Sequence, residues 1–202
     1  MSEPALNALI VSNIKDLDAA AYHLENTLQD DVAAALDAVA DRVRGEAGWD
    51  GASDWFDDAI TIAPKTWRLE GEAEGGHRAQ FELDHDDDAL GARDYFWLTK
   101  LVGQGHARLG FRWSRCNVTK ARWKKALAQK SEFIEEARKR GFTYLEKDGS
   151  FFLPVVIDVH QLAAALGEET PEQALAPFEN AVRALIEAEP FFDRLLAAVV
   201  VD

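Results

Sequence analysis

The sequence predicts an α+β fold: a mostly antiparallel sheet of about five to seven strands, with a long N-terminal helix, a central basic helix and C-terminal helices packed on it. Three observations predict it. An apolar stripe of helical period occupies the first quarter of the chain. Between residues 59 and 114 the apolar period falls to two, and the runs are joined by connections too short for parallel crossovers. Helical periodicity then returns and dominates the C-terminal third, which places helices on one face of an antiparallel sheet.

The first helix spans 14–44. Leu17, Leu24, Leu28, Val32, Leu36, Val39 and Val43 recur at three-to-four spacing with acids between them, the stripe of a helix seeking a long apolar partner. Gly45 stops it, and Asp30 is placed to cap a second piece if the helix divides at Gln29–Asp31. Residues 46–58 are acidic and turn-rich around Trp49 and Trp55, two rings also suited to an exposed contact patch. Ile60 and Ile62 open the β-rich region 59–114. Trp67 and Leu69 face Ala79, Phe81 and Leu83 across a hairpin punctuated by Gly71, Gly75 and Gly76. A second hairpin runs from Tyr95 to Val102, turns at Gly103-Gln104-Gly105 and returns from His106 to Trp113. Residues 119–140 are helical, with Trp123, Leu127, Phe133, Ile134 and Ala137 on one face. The hairpin 142–157 turns at Asp148-Gly149, a pair that favours a primed two-residue turn. The end, 159–199, is helical. His160–Leu166 stops at Gly167, Thr170-Pro171-Glu172-Gln173 has the form of a capping box, and Pro190 opens the last segment. With no repeat or linker in 202 residues, the expectation is one domain, 1–202.

Charge is the most uneven property of the chain. The net charge is −14, yet residues 108–140 hold 11 Lys and Arg against 3 Glu, half of all the cations. The acidic whole argues against unspecific binding to nucleic acid or anionic membranes. No apolar run approaches the ~18 residues of a spanning helix, so no membrane is expected. The lone cysteine, Cys116, rules out an intrachain disulfide, and a cytoplasmic location is the default expectation.

The start of the central helix breaks a local rule. Lys120, Arg122, Lys124 and Lys125 fall in its first two turns, just after Arg112 and Arg115, where the helix dipole disfavours cations by ~0.3–1 kcal/mol each. Such a departure marks either an anion-binding or interaction surface or internal pairing with the chain's own acids, for which Asp54, Asp57, Asp58, Glu72, Glu74 and the 84–88 loop are at hand. Lys130 lies within the apolar stripe of the same helix, where it is either a buried amine or a stem packed on Trp123 with its ammonium in water. Internal pairing is the favoured outcome for the strip, and the packed stem for Lys130.

Catalytic and metal signatures are weak. Asp84, Asp86 and Asp88 have the spacing that opens a calcium loop, but Ala89 stands where the loop needs Gly and Tyr95 where it needs a bidentate Glu. The five histidines show no ligand spacing, no zinc site is readable, and no cofactor is expected. Cys116 has cationic neighbours but no histidine near it in sequence.

The order helix, strands, helix, strand resembles the core of PD-(D/E)XK-type nucleases. That resemblance would give Glu25, Asp84 and Lys100 the roles of helix acid, strand acid and catalytic lysine in metal-assisted phosphodiester cleavage. The sequence departs from the pattern at Leu98-Thr99-Lys100, which lacks an acid two residues before the lysine. The favoured expectation is therefore a non-enzymatic protein that binds another protein or itself, with nucleic acid reached only through residues 112–125. A metal-dependent nuclease and a phosphate- or nucleotide-binding protein are the alternatives.

Overall fold

A computed structural model describes residues 2–69, 76–86, 94–115 and 118–199. Six strands form one sheet: β1 (Asp50–Ser53), β2 (Ile60–Ala63), β3 (Ala79–His85), β4 (Leu109–Arg115), β5 (Thr143–Leu145) and β6 (Ser150–Pro154), in the order β1-β2-β3-β4-β6-β5. Every pairing is antiparallel. The helices are α1 (Glu3–Ser12), α2 (Ile14–His23), α3 (Gln29–Ala47), α4 (Trp97–Leu101), α5 (Lys120–Ala128), α6 (Ser131–Lys139), α7 (Val159–Gly167), α8 (Ala176–Glu187) and α9 (Glu189–Val199). The expected α+β class, an antiparallel sheet with helices on it, is what the chain forms.

Strand alternation sorts the side chains onto two faces. The register aligns Ile62, Phe81, Trp113, Phe151 and Tyr144 in one cross-strand row, and the first four are fully buried. Helix α9 covers this row. Its Phe192 ring lies 5.0 Å from Trp113 and 5.1 Å from Phe81, and Phe178 of α8 lies 5.5 Å from Phe111. The adjacent row points the other way and carries Thr61, Glu82, Arg112, Phe152 and Thr143. The sheet thus buries its aromatic face under α9 and presents a mixed polar face opposite.

Several expected elements differ. The long N-terminal helix begins earlier than 14 and consists of α1, α2, a π-helical turn at Leu24–Leu28 and α3. It ends at Gly48, in the left-handed region at φ 68°, rather than at Gly45. The turn-rich region contains β1, and Trp49 there is buried against Trp67 and Phe81. Trp55 is half-buried with its ring edge-on to Trp97, so neither ring forms an exposed patch. Trp67 sits in a 3-10 turn (Lys65–Trp67), and the first hairpin keeps only an Arg68–His77 bridge before β3. Gly71, Glu72, Glu74 and Gly75 lie outside the described residues.

The strand expected at 95–102 is instead α4, because Leu98 and Leu101, at i,i+3 spacing, both turn into the core. The helix expected at 119–140 is broken. Gln129 ends α5 and Lys130, at φ −135°, precedes α6. The capping box does not form either: Thr170 leads into a 3-10 turn, and its hydroxyl points back toward the Ala165 carbonyl at 3.5 Å. The 142–157 hairpin forms as β5 and β6 with Gly149 at φ 76°.

Candidate anion-binding surface

Asp148, at the turn between β5 and β6, is where the basic segment converges. Arg112 projects from the polar face of β4 and places Nη1 2.6 Å from its carboxylate. The Ser150 hydroxyl and amide donate to the other oxygen at 2.6 and 2.8 Å. Partial burial alone would raise the Asp148 carboxyl. The Ser150 hydrogen bonds and the charges of Arg112 and Lys120 outweigh it and hold the group below the usual carboxylate range. Lys120 begins α5, so the helix carries its first cation toward this acid.

Helix α5 is pinned to the same turn. The buried indole of Trp123 donates from Nε1 to the Gly149 carbonyl at 2.7 Å, and the Lys124 stem occupies the space a β-carbon at Gly149 would crowd. Arg115 leaves the end of β4 and lays its guanidinium over the Trp123 ring, 4.7 Å from the centroid. Burial pushes Arg115 down, while Asp148 and Tyr144 act in the opposite sense. Arg112, Arg115, Lys120 and Lys124 therefore surround one hairpin turn, although twelve residues separate the first from the last.

Further out on the polar face, Arg112 also lies 2.7 Å from Asp84 through Nε and donates from Nη2 to the His85 carbonyl at 2.5 Å. The Asp84 contact is an ion pair without hydrogen-bond alignment, since that Nε meets no acceptor in line. Glu82, cross-strand from Arg112, is raised by burial and then by the neighbouring charge of Asp84; a hydrogen bond with Gln80 and the charge of Arg112 oppose this.

The strip thus divides. Arg108 pairs with Asp86 at 2.6 Å, Arg112 with Asp84 and Asp148, and Arg138 and Arg140 with Glu135 and Glu136 of their own helix. Internal pairing holds for these arginines: Asp84 and Asp86 belong to the acidic 84–88 stretch that the sequence offered as partners, Asp148 is a partner it did not name, and Asp54, Asp57 and Asp58 pair with none of them among the described residues. Lys120, Arg122 and Lys125 are exposed and Lys124 half-buried, and none of the four makes an ion pair among the described residues. Lys130 is half-buried, and its Nζ donates to the Ala198 carbonyl at 2.7 Å, in the last turn of α9.

The three residues of the nuclease reading stand on three different elements. Glu25 lies in the π-helical turn and accepts from the Tyr95 hydroxyl at 3.0 Å, Asp84 is engaged by Arg112, and Lys100 lies on α4 rather than on a strand. Among the described residues no group of three His, Cys, Asp or Glu is placed to hold a metal. Asp87, Asp88, Ala89 and Cys116 lie outside the described residues.

Sequence reasoning missed a second polar cluster. Asp50 of β1 accepts from Arg68 at 2.5 and 2.9 Å and lies 3.4 Å from Nε2 of the buried His77. Partial burial opposes ionisation of Asp50, but Arg68 and His77 hold its carboxyl below the usual range. The cluster lines an open cavity of about 320 Å³ with Thr61 and Gln80. No spacing signal announces it, because Asp50, Arg68 and His77 meet only through sheet pairing. No helix is long and apolar enough to cross a membrane among the described residues. Comparison with protein-family models, with curated proteins and with solved structures finds no match.

Proposed function

We propose that this chain works by binding an acidic protein surface through the cations at the start of α5. One observation carries the reading. Lys120, Arg122, Lys124 and Lys125 make no ion pair among the described residues, on a molecule whose acids outnumber its bases by 14. Unpaired cations beside so many carboxylates are selected for an external partner, since internal neutralisation was available nearby and serves Arg108 and Arg112. Asp148 and Trp123 act as positioning residues. The acid holds Arg112, and the indole fixes α5 to the β-turn, so the cations present a set geometry instead of a flexible tail. A protein partner suits the charge balance better than nucleic acid, because a short acidic segment can end within the basic surface, whereas a duplex carries its charge on past that surface into the repulsive field of the acidic body.

The test is fluorescence anisotropy with a labelled polyglutamate peptide and, in a second arm, a labelled DNA duplex, at low and high salt. The expected result is saturable binding of the peptide that weakens with salt and is lost when Lys120, Arg122 and Lys124 are all changed to Glu. Peptide binding unaffected by that triple change would overturn the reading, and tighter binding of the duplex would move it to nucleic acid.

A further inference from the structure

We infer that α1, α2 and the π-helical turn form a dimerisation arm that pairs antiparallel with the same segment of a second copy. This inference is independent of the α5 surface. Neither α1 nor α2 buries a residue, although both are rich in large apolar side chains. Leu6, Leu9, Ile10, Ile14 and Leu17 are 44%, 50%, 38%, 59% and 44% exposed. On a helical projection these five fall on one stripe, which continues through Ala20 and Ala21 to the half-buried Leu24 and Leu28. The stripe keeps its phase across the break at Asn13, since Asn13 N donates to Leu9 O at 3.2 Å and Leu17 N to Asn13 O at 3.0 Å. Each of these helices is ten residues long. Joined to α3 they form one helical run whose first two segments bury no residue, and since most helical stability in proteins comes from packing an apolar face, a covering partner is what the arm lacks.

The spacing identifies the partner as another copy. Ile10, Leu17 and Leu24 recur every seven residues, the interval of a helix seam that packs against a like seam. About Leu17 the middle of the stripe is its own complement. An antiparallel pair centred there sets Leu17 against the partner's Leu17, Ile10 against the partner's Leu24 and Ile14 level with the partner's Ala20, while Leu9 falls level with the partner's Glu25 at the margin. Large residues meet large at the centre of the seam, and Ile14 meets a small one. The tip of each arm then reaches the place where Leu24 and Leu28 already join the partner's core.

The stripe supplies most of the area needed. The five stripe residues leave on the order of 450 Å² open per arm, so two arms supply about 900 Å² of the roughly 1,200 Å² at which specific interfaces begin, and the polar flanks must contribute the rest. Charge selects the direction. Parallel pairing would place two acidic bodies side by side. Antiparallel pairing separates the two Leu28 positions by about 33 Å along the helix axis, several times the ~8 Å screening length at physiological salt. The arm itself carries Glu3, Asp16, Asp18 and Glu25 against Lys15 alone, which disfavours an anionic lipid surface as the occupant.

Sedimentation velocity over a range of protein concentrations, at physiological and at high salt, tests the contact. A dimer that persists in high salt is expected, as is its conversion to monomer by Leu17→Asp with cooperative unfolding of the body retained, because the arm lies outside the core, and with loss of the concentration dependence of the melting temperature that dimerisation confers. The α5 triple charge reversal is expected to leave the dimer intact. Direction is read by disulfide cross-linking in a Cys116→Ser background: chains carrying Ile10→Cys are mixed with chains carrying Leu24→Cys, and the mixed pair is expected to dominate. A monomer at all concentrations, a dimer indifferent to Leu17→Asp, or cross-linking of Ile10→Cys chains mainly to each other would each overturn the inference. So would a monomer that floats with phosphatidylcholine vesicles, which would assign the arm to lipid.

Discussion

Trp123 donates its indole N–H to the carbonyl of Gly149 at 2.7 Å, and this bond joins the basic helix to the one tight hairpin turn at its side. Both residues are buried, so the carbonyl has no solvent partner to fall back on. Trp123→Phe removes the donor and leaves that acceptor unsatisfied, at about 1–3 kcal/mol. Urea denaturation is expected to show the loss. Salt-dependent binding of the acidic peptide should also weaken under folding conditions, because α5 loses its anchor.

Gly149 itself answers to backbone geometry. At φ 76°, a β-carbon there would also stand 3.0 Å from Trp123 Cδ1 and from the Lys124 stem. Gly149→Ala is expected to destabilise by about 1–3 kcal/mol. The same change at Gly45, which meets nothing within 4 Å and lies inside α3 at an exposed position, is expected to stabilise by roughly 0.5–1 kcal/mol. Opposite shifts of the two melting temperatures check the contrast.

Stability should fall in acid partly through Glu179. Arg42 and Arg183 hydrogen-bond its carboxylate at 2.7 and 2.8 Å and lower it from 4.5 to about 2, linking α3 to α8. A carboxyl depressed on folding stabilises fully above its unfolded value. It loses that contribution as pH falls from about 4.5 toward about 2. Glu179→Gln is expected to flatten the stability profile in that window and leave its shape unchanged above it. The effect is small, because the three side chains remain well solvated. Asp148 is depressed in the same sense, so the double variant should be flatter still.

Lys130 closes α9 by donating to the carbonyl of Ala198. Lys130→Met keeps most of the stem and removes the donor. A loss of about 1 kcal/mol is expected, with amide exchange accelerating first in the last turn of α9. Acceleration that begins elsewhere would show that the ammonium serves another purpose.

Much of the fold was legible because its signals are local. The alternation of Ala79, Phe81 and Leu83 and the Asp148-Gly149 turn each specify their element without outside help. The break at Lys130 was not legible. Leu127 and Ile134 are seven residues apart, which suits one unbroken helix, and neither Gly nor Pro intervenes. The carbonyl that Lys130 meets belongs to Ala198, 68 residues away, and no local pattern reports it. Helix α4 was misread because Tyr95-Phe96-Trp97 has strand-like composition, while the deciding fact is that Leu98 and Leu101 share one buried side. The basic surface was legible as composition but not as shape. That Arg112 and Lys120 flank one carboxylate depends on the β4–β6 register, which charge counting does not contain.

The π-helical turn at Leu24–Leu28 acts as a swivel. Relative to an α-helix it holds one surplus residue, which turns everything before it by about 100° against everything after it. Deleting a single residue from this turn would restore ordinary winding and rotate Leu6, Ile10 and Leu17 away from their present bearing, while Val32, Leu36 and Val39 kept their seats under the sheet. One amino acid of length therefore governs which direction the arm offers to its surroundings, with only Leu24 and Leu28 at the edge of the interior disturbed.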